Sequence, residues 1–452
     1  MEKRRLFLLL IISSFILIAG CIQNKDAIKD LDNAELKKSP SVNTKDVGLG
    51  TLCLDDKECI DYCAENSFRC EEYCKENPSN TMCQERFSFV YGDVKQNSEQ
   101  KIRQENNGCK GGVVTFTFPP RKIEDIEIIE PMGLMIGGHV TPIDHQYYYP
   151  PNWRNELTEE NLKDVYSPAD GIVSNIQSMP DFFNRAKGTN LGDYRLVIYH
   201  SCTFYTIYIH INQLSPKLSE AFNKKTNVEI KAGELIGRAN SFDFSAHNEE
   251  ITLSGFIVPE HYQGEPWKIY TVDPFDYFSP EIKEQLLTKN IRSVEPLGGK
   301  IDYDIDGKLI GSWFEENTNG YRGIKEPDYW GTHVSFSPDA LDPNHFIISL
   351  GNYKGEAKQF GAKGNKPNPV DVDISSGIIK YELVDFDHKD LFGNYWDRIS
   401  YVKGLQAENK DDVHGVVLIQ LIDTRKLKLE IFADKKASDV GGFSDNAKIY
   451  ER

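Results

Sequence analysis

Long apolar runs, positive charge, long amphipathic helices and several common catalytic signatures are all scarce in this 452-residue chain. The longest apolar run, LFLLLIISSFILIAG near the N-terminus, is shorter than the ~20 residues a helix needs to span a bilayer. The chain therefore does not read as a helical membrane-spanning protein. Lys and Arg total 52 against 69 Asp and Glu, a net charge of −17, which excludes a nucleic-acid partner because phosphate binding needs the opposite sign. G-x-S-x-G is absent, so no serine nucleophile elbow is expected. C-x-x-C zinc knuckles are absent as well.

What is present begins with Lys3, Arg4 and Arg5, followed by the short apolar run and Leu17-Ile-Ala-Gly-Cys21. Residues 1–20 read as a secretion signal, and the small residues before Cys21 resemble a lipobox. Cys21 is the expected lipidation site, which makes the protein an extracytoplasmic, membrane-anchored lipoprotein. Residues 21–50 hold five acidic and five basic residues after Cys21 and little aromatic or β-branched character, the composition of a flexible linker.

An exported compartment favours disulfides. Cys53, Cys59, Cys63, Cys70, Cys74 and Cys83 crowd into residues 51–90. Cys59 and Cys63 stand one helical turn apart, as do Cys70 and Cys74, so a stapled α-hairpin is expected, with Cys59–Cys74, Cys63–Cys70 and Cys53–Cys83 as one nested pairing among several. Cys109 and Cys202 remain, and can pair with each other.

From about residue 110 the sequence turns to short runs such as VVTFTF, GIVSNI, YRLVIYH and FYTIYIHI, bounded by Pro and Gly. These predict a mainly β protein. A predicted helix and linker, SPEIKEQLLTKNIRSVEP, separates this region from a second all-β domain over 297–452, whose clearest hairpin is GVVLIQLIDTRKLKLEIF. There Leu427, Leu429 and Ile431 alternate with Lys426, Lys428 and Glu430, which predicts one dry and one wet face. Asp302–Gly307 looks like the start of a calcium loop, but position twelve is Trp313, so Asp306-Gly307 is read as a turn.

Five of the ten histidines fall between 139 and 247, in the order GGHVTPIDHQYY, VYSPADGIV, YHSCTFYTIYIHINQL, VEIKAGELIGRANS and SAHNEEITL, closed by VDPFDYF. Taken together, these segments resemble the lysostaphin/LytM-type zinc endopeptidases, which have a duplicated-hybrid-motif-like β fold and cut peptide bonds in cell-wall polymers. The resemblance covers roughly 110–285 and implies a β-barrel or sandwich domain with a zinc cofactor and a cell-envelope polymer or peptide as partner. It implies His139, Asp144 and Glu249 as metal ligands, with His145 as an alternative ligand, and His210 and His247 as the catalytic pair. Here Glu249 stands where the family has the second His of H-x-H, and five residues rather than four separate His139 from Asp144. Asp144 and His145 are neighbours and can share one site only if the backbone bends there. His200 is expected to serve the structure. The alternative is a catalytically degenerate module of the same fold, which binds envelope polymer or regulates another hydrolase.

Overall fold

The computed structural model describes residues 111–452, apart from 113, 156, 180–190 and 325–327. Cys21, the linker, the six-cysteine segment and Cys109 lie outside these residues. Cys202 is disulfide-bonded, and it is the only cysteine within them.

The protein is mainly β, as its sequence predicts. Short runs rich in Val, Ile, Tyr and Phe form β1 (Ile128–Glu130), β2 (Gln146–Tyr149), β3 (Lys163–Tyr166), β4 (Gly171–Ser178), β5 (Tyr194–Tyr199) and β6 (Phe204–Ile211). They continue as β7 (Gln213–Leu214), β8 (Val228–Ile230), β9 (Leu235–Ala239), β10 (Phe242–Asn248) and β11 (Thr271–Val272). One antiparallel sheet has the order β1-β2-β10-β6-β5-β4-β8, with β11 pairing β10, and a smaller sheet has the order β3-β9-β7. Helix α1 (Pro216–Lys224) is started by the Ser215 hydroxyl, which accepts the Leu218 amide, and packs Leu218 and Ala221 inward. The core beneath the larger sheet joins Phe116, Tyr148, Tyr208, Phe242, Phe244 and Phe275 with the aliphatic residues of β4 and β5.

Helix α2 (Pro280–Leu287) leads towards the second half. There β12 (Gly311–Glu315), β13 (His333–Pro338), β14 (Phe346–Tyr353), β15 (Glu356–Ala362), β16 (Ile379–Lys389), β17 (Gln406–Asp423), β18 (Lys426–Ala433) and β19 (Lys448–Glu451) form a closed barrel. Each strand pairs the next antiparallel, and β19 returns to β12. Closure leaves no edge strand to pair with another chain.

Leu427 and Leu429 enter the barrel core, with Ile431 packed against it, as the alternation predicts. The wet face differs at Glu430, which is only 6% exposed. Its carboxylate accepts the Ser444 amide at 2.7 Å, and Val416, Leu418 and Val440 form a second apolar layer outside the barrel. A segment folded back over the wall has turned a solvent-side position into a covered one. Asp306 and Gly307 form the expected turn, closed by the Lys308 amide on Ile305 O at 3.0 Å, with Gly307 at φ +74°.

Candidate functional site

In β10, Phe242, Phe244 and Ala246 face the core, so strand alternation turns Asp243, Ser245 and His247 to the opposite face. Asp243 lies in register with Tyr147 of β2 and Ile209 of β6. The neighbouring His210, near the end of β6, has φ +69°, an uncommon conformation for a residue with a side chain. Asp144 and His145 occupy a bend just before β2, and that bend brings these sequence neighbours into contact.

The result is a chain of alternating carboxylates and imidazoles. Asp144 Oδ1 meets His145 Nδ1 at 3.0 Å, and His145 Nε2 stands 3.3 Å from Asp243 Oδ2. The same Asp243 oxygen is 3.6 Å from His210 Nε2, while His210 Nδ1 meets Asp193 at 3.0 Å. Asp144, His145, Asp243 and Asp193 are buried, and His210 opens towards a cleft between the sheet and the barrel. Burial opposes protonation of His210, but Asp243 and Asp193 outweigh it and push its pKa up to about 9. His145 is also raised, with burial again overcome by Asp243 and Asp144. Burial would raise Asp144, yet Lys268 and His145 hold it far below the usual carboxylate range.

His139 stands beside this chain, its ring centroid 5.7 Å from that of His145, and it lines the same cleft. It sits at the end of a tight turn in which Ile136 and His139 exchange backbone hydrogen bonds across Gly137-Gly138. The barrel grips this turn: Gln359 Nε2 donates to Gly137 O, and the Gly137 amide donates to Gln359 Oε1, both at 3.0 Å. Gly138 packs against Trp330 so closely that a Cβ would stand 2.9 Å from the ring. Burial and the neighbouring His145 lower the His139 pKa to about 3, so the imidazole is neutral.

The other two expected site residues are placed elsewhere. His247 is fully buried, with Nε2 sharing a hydrogen bond with Ser245 Oγ at 2.8 Å and Nδ1 meeting Trp267 O at 3.1 Å. Glu249 follows the end of β10, where its amide donates to Thr203 O. Five strand steps separate Asp243 from Asn248, or ~16 Å, which keeps Glu249 out of the chain's reach. The carboxylate at the centre is Asp243. The sheet face that Trp267 and its neighbours cover around His247 is open to the cleft at Asp243. His200 has a structural role, with Nδ1 to Asp170 O and Nε2 to Thr206 Oγ1, both at 2.9 Å, and burial lowers it to about 4.

Sequence reasoning missed Asp193 and Asp243. The available hint was Phe-Asp-Phe, a charge placed opposite two core phenylalanines. Among the described residues, no three His, Cys, Asp or Glu side chains are arranged around a single point as ligands. The donor types are nonetheless those that zinc takes, since two imidazole nitrogens stand beside one carboxylate oxygen, at 3.3 and 3.6 Å. Each imidazole is also held by an aspartate through Nδ1, the outer-shell arrangement that orients metal-binding histidines. A divalent cation replacing two protons would leave the net charge of the cluster unchanged.

These shifts predict a stability maximum near neutrality for the metal-free protein. His210, raised from 6.5 to about 9, contributes stability that is complete below its unfolded value and is lost as pH rises through about 9. His139 and His333, both lowered to about 3, stay neutral in the fold, so the unfolded chain gains protons first and stability falls as pH drops below 6.5. Urea midpoints measured across this range check the expectation, and a midpoint rising steadily from neutral to alkaline pH would contradict it.

No family model and no curated protein matches the chain. Among solved structures, a chain of the SpoIIQ–SpoIIIAH pore-forming complex aligns with 37% of this chain and 93% of its own length, at 10% identity and a TM-score of 0.24. That similarity is too low to carry an argument.

Proposed function

We propose that the protein is a divergent zinc-dependent endopeptidase of the lysostaphin/LytM kind, anchored outside the cytoplasm through Cys21 and acting on a peptide-bearing envelope polymer. The carrying observation is the convergence of His145 Nε2 and His210 Nε2 on one Asp243 oxygen, each imidazole being backed by a further aspartate. His145, His210 and Asp243 would hold the metal, with neutral His139 beside them. When bound, zinc would polarise a scissile carbonyl and acidify a water. Asp144 and Asp193 fix the ring orientations, which keeps the two nitrogens presented without reorganisation. His210 and Asp243 are the members of the chain that line the cleft, so a ligand would reach the metal from that side.

A non-catalytic module is the second reading, and the enclosure of His247 favours it, because one of the two expected proton-transfer histidines cannot touch a ligand. Metal analysis of the purified full chain after zinc equilibration, together with release of peptides from envelope material, separates the two. Bound zinc with turnover, both lost in His210→Ala, is the expected result. Zinc without turnover leaves the binding module, and a chain that takes up no zinc at micromolar concentration loses the metallopeptidase reading.

A further inference from the structure

The loop that joins β16 to β17 divides its apolar residues between two destinations. Trp396, Val402 and Leu405 turn inward and pack with Ile128, Ile291 and Leu341. Leu391 and Phe392 do the opposite: side by side in the chain, they are 70% and 92% exposed, and Tyr395 and Tyr401 of the same loop are exposed as well. Single exposed hydrophobic residues are normal on any surface, but a leucine and a phenylalanine presented together on one turn call for a partner.

The turn is tied from within. β16 and β17 pair out to Lys389 opposite Gln406, so the turn that follows sits at the end of a hairpin. Asp390 Oδ1 accepts the amides of Phe392 and Asn394 at 2.9 and 2.8 Å, and its Oδ2 accepts the Asn394 side-chain amide at 3.0 Å. The Gly393 amide donates to Asp390 O and the Asp390 amide to Asn394 O, at 3.0 and 2.9 Å. These amides are occupied before any contact is made. That is what a turn needs in order to enter a medium that supplies no hydrogen bonds.

At the base of the turn the charges pair with one another. Lys389 meets Glu408 at 2.6 Å and Lys410 meets Asp387 at 3.0 Å, and both ammonium groups lie over the Tyr395 ring, whose hydroxyl donates to Glu408 at 3.0 Å. Hydrogen bonds from Asn394 hold the Asp390 carboxyl below its usual range, so it stays ionised and marks where the polar part begins. An apolar tip, then tyrosines with polar ends, then charges is the order met on entering a bilayer from outside in reverse. With a net charge of −17 the chain gains nothing from an anionic surface, so the attraction must be apolar. A protein partner is a poorer match. A leucine and a phenylalanine offer on the order of 300 Å² between them, against the ~800 Å² a side of a stable protein interface.

We propose that the Leu391–Phe392 tip inserts into the surface of a lipid bilayer, with Asp390 and Tyr395 at the level of the headgroups. The inference goes beyond the endopeptidase reading and needs neither zinc nor a lipid on Cys21. The same loop brings Trp396 and Arg398 to the cleft, so a seated tip sets the cleft at a fixed height above the membrane.

Phe392→Trp reports on the tip, and Ile422→Trp, near the other end of β17 and roughly 50 Å away along the strand, reports on the rest of the barrel. Both positions are exposed, so neither change should disturb the fold. The full chain of each variant is mixed with phosphatidylcholine vesicles whose acyl chains carry bromine, and the wild-type emission is subtracted. The Phe392→Trp signal is expected to move to shorter wavelength and lose most of its intensity, while the Ile422→Trp signal keeps both. Adding Leu391→Ser to the Phe392→Trp chain should weaken this partition by about tenfold, the worth of one buried apolar side chain. An unchanged Phe392→Trp signal overturns the proposal, even where the chain is held on the vesicles by other means. Equal quenching at both positions marks general adsorption and overturns it too. Sedimentation without lipid covers the remaining case: a wild-type dimer that Phe392→Ser dissociates would assign the tip to a second copy of the chain and overturn insertion, whereas a monomer supports it.

Discussion

Asp243→Ala is expected to be the most damaging single substitution at the site, removing metal affinity and much of the stability of the sheet together. The aspartate is 5% exposed and stands between two imidazoles whose pKa values its charge raises. Without it the two rings lose the charge that favours their protonated forms, and the buried His145 Nε2 loses its ionic neighbour. Removing one partner of a fully buried pair costs roughly 3–5 kcal/mol, an upper bound here because the His210 side chain is 35% exposed. Zinc affinity should fall by at least about a hundredfold, because even outer-shell partners cost 10–100-fold. Urea denaturation and zinc titration of the same preparation give both numbers. An Asp243→Ala chain with near wild-type zinc affinity would remove Asp243 from the proposed metal site, whatever its stability.

Trp313→Ala should have a comparable effect on the barrel and none directly on the aspartate–histidine chain. Its side chain is fully buried, its Nε1 donates to Leu309 O at 2.8 Å, and the Arg452 guanidinium lies 4.0 Å above its ring. Truncation opens a cavity, with a typical cost of about 3–5 kcal/mol. Arg452 would also lose the ring beneath it while still facing Asp304, whose carboxyl burial raises to about 6. Circular dichroism in urea measures the loss. A cost below about 1 kcal/mol would mean that the barrel repacks around the gap, contrary to the usual partial relaxation of such sites.

The mainly β character was readable because β-branched and aromatic residues recur in short runs between turn formers, and because Leu427 and Leu429 keep a period of two. Glu430 was not, since its covering residue, Ser444, lies in a segment whose return path no local pattern marks. At the site, His139, His145 and His210 stood out in the sequence because histidine is rare and chemically distinctive, and Asp144 through the family resemblance. Asp193 and Asp243 did not, for the chain is rich in aspartate and only strand pairing brings these two beside the imidazoles. The interest of Glu249 came from the family resemblance, where it stands at the second His of H-x-H, and a motif along a strand does not say which positions the next layer will cover. Trp267, arriving from a later loop, covers the His247 end.

The grip of Gln359 on Gly137 joins positions 222 residues apart in the chain, and it does so across the cleft between sheet and barrel. Two walls tied in this way cannot swing apart as a hinged jaw would without breaking both hydrogen bonds and unseating Gly138 from Trp330. Any such swing must give up both bonds, at about 1 kcal/mol each, along with the seat of the glycine turn on the tryptophan. The tie therefore couples the position of the His139 turn to the barrel, so that a change on the barrel wall at Gln359 is felt beside the aspartate–histidine chain.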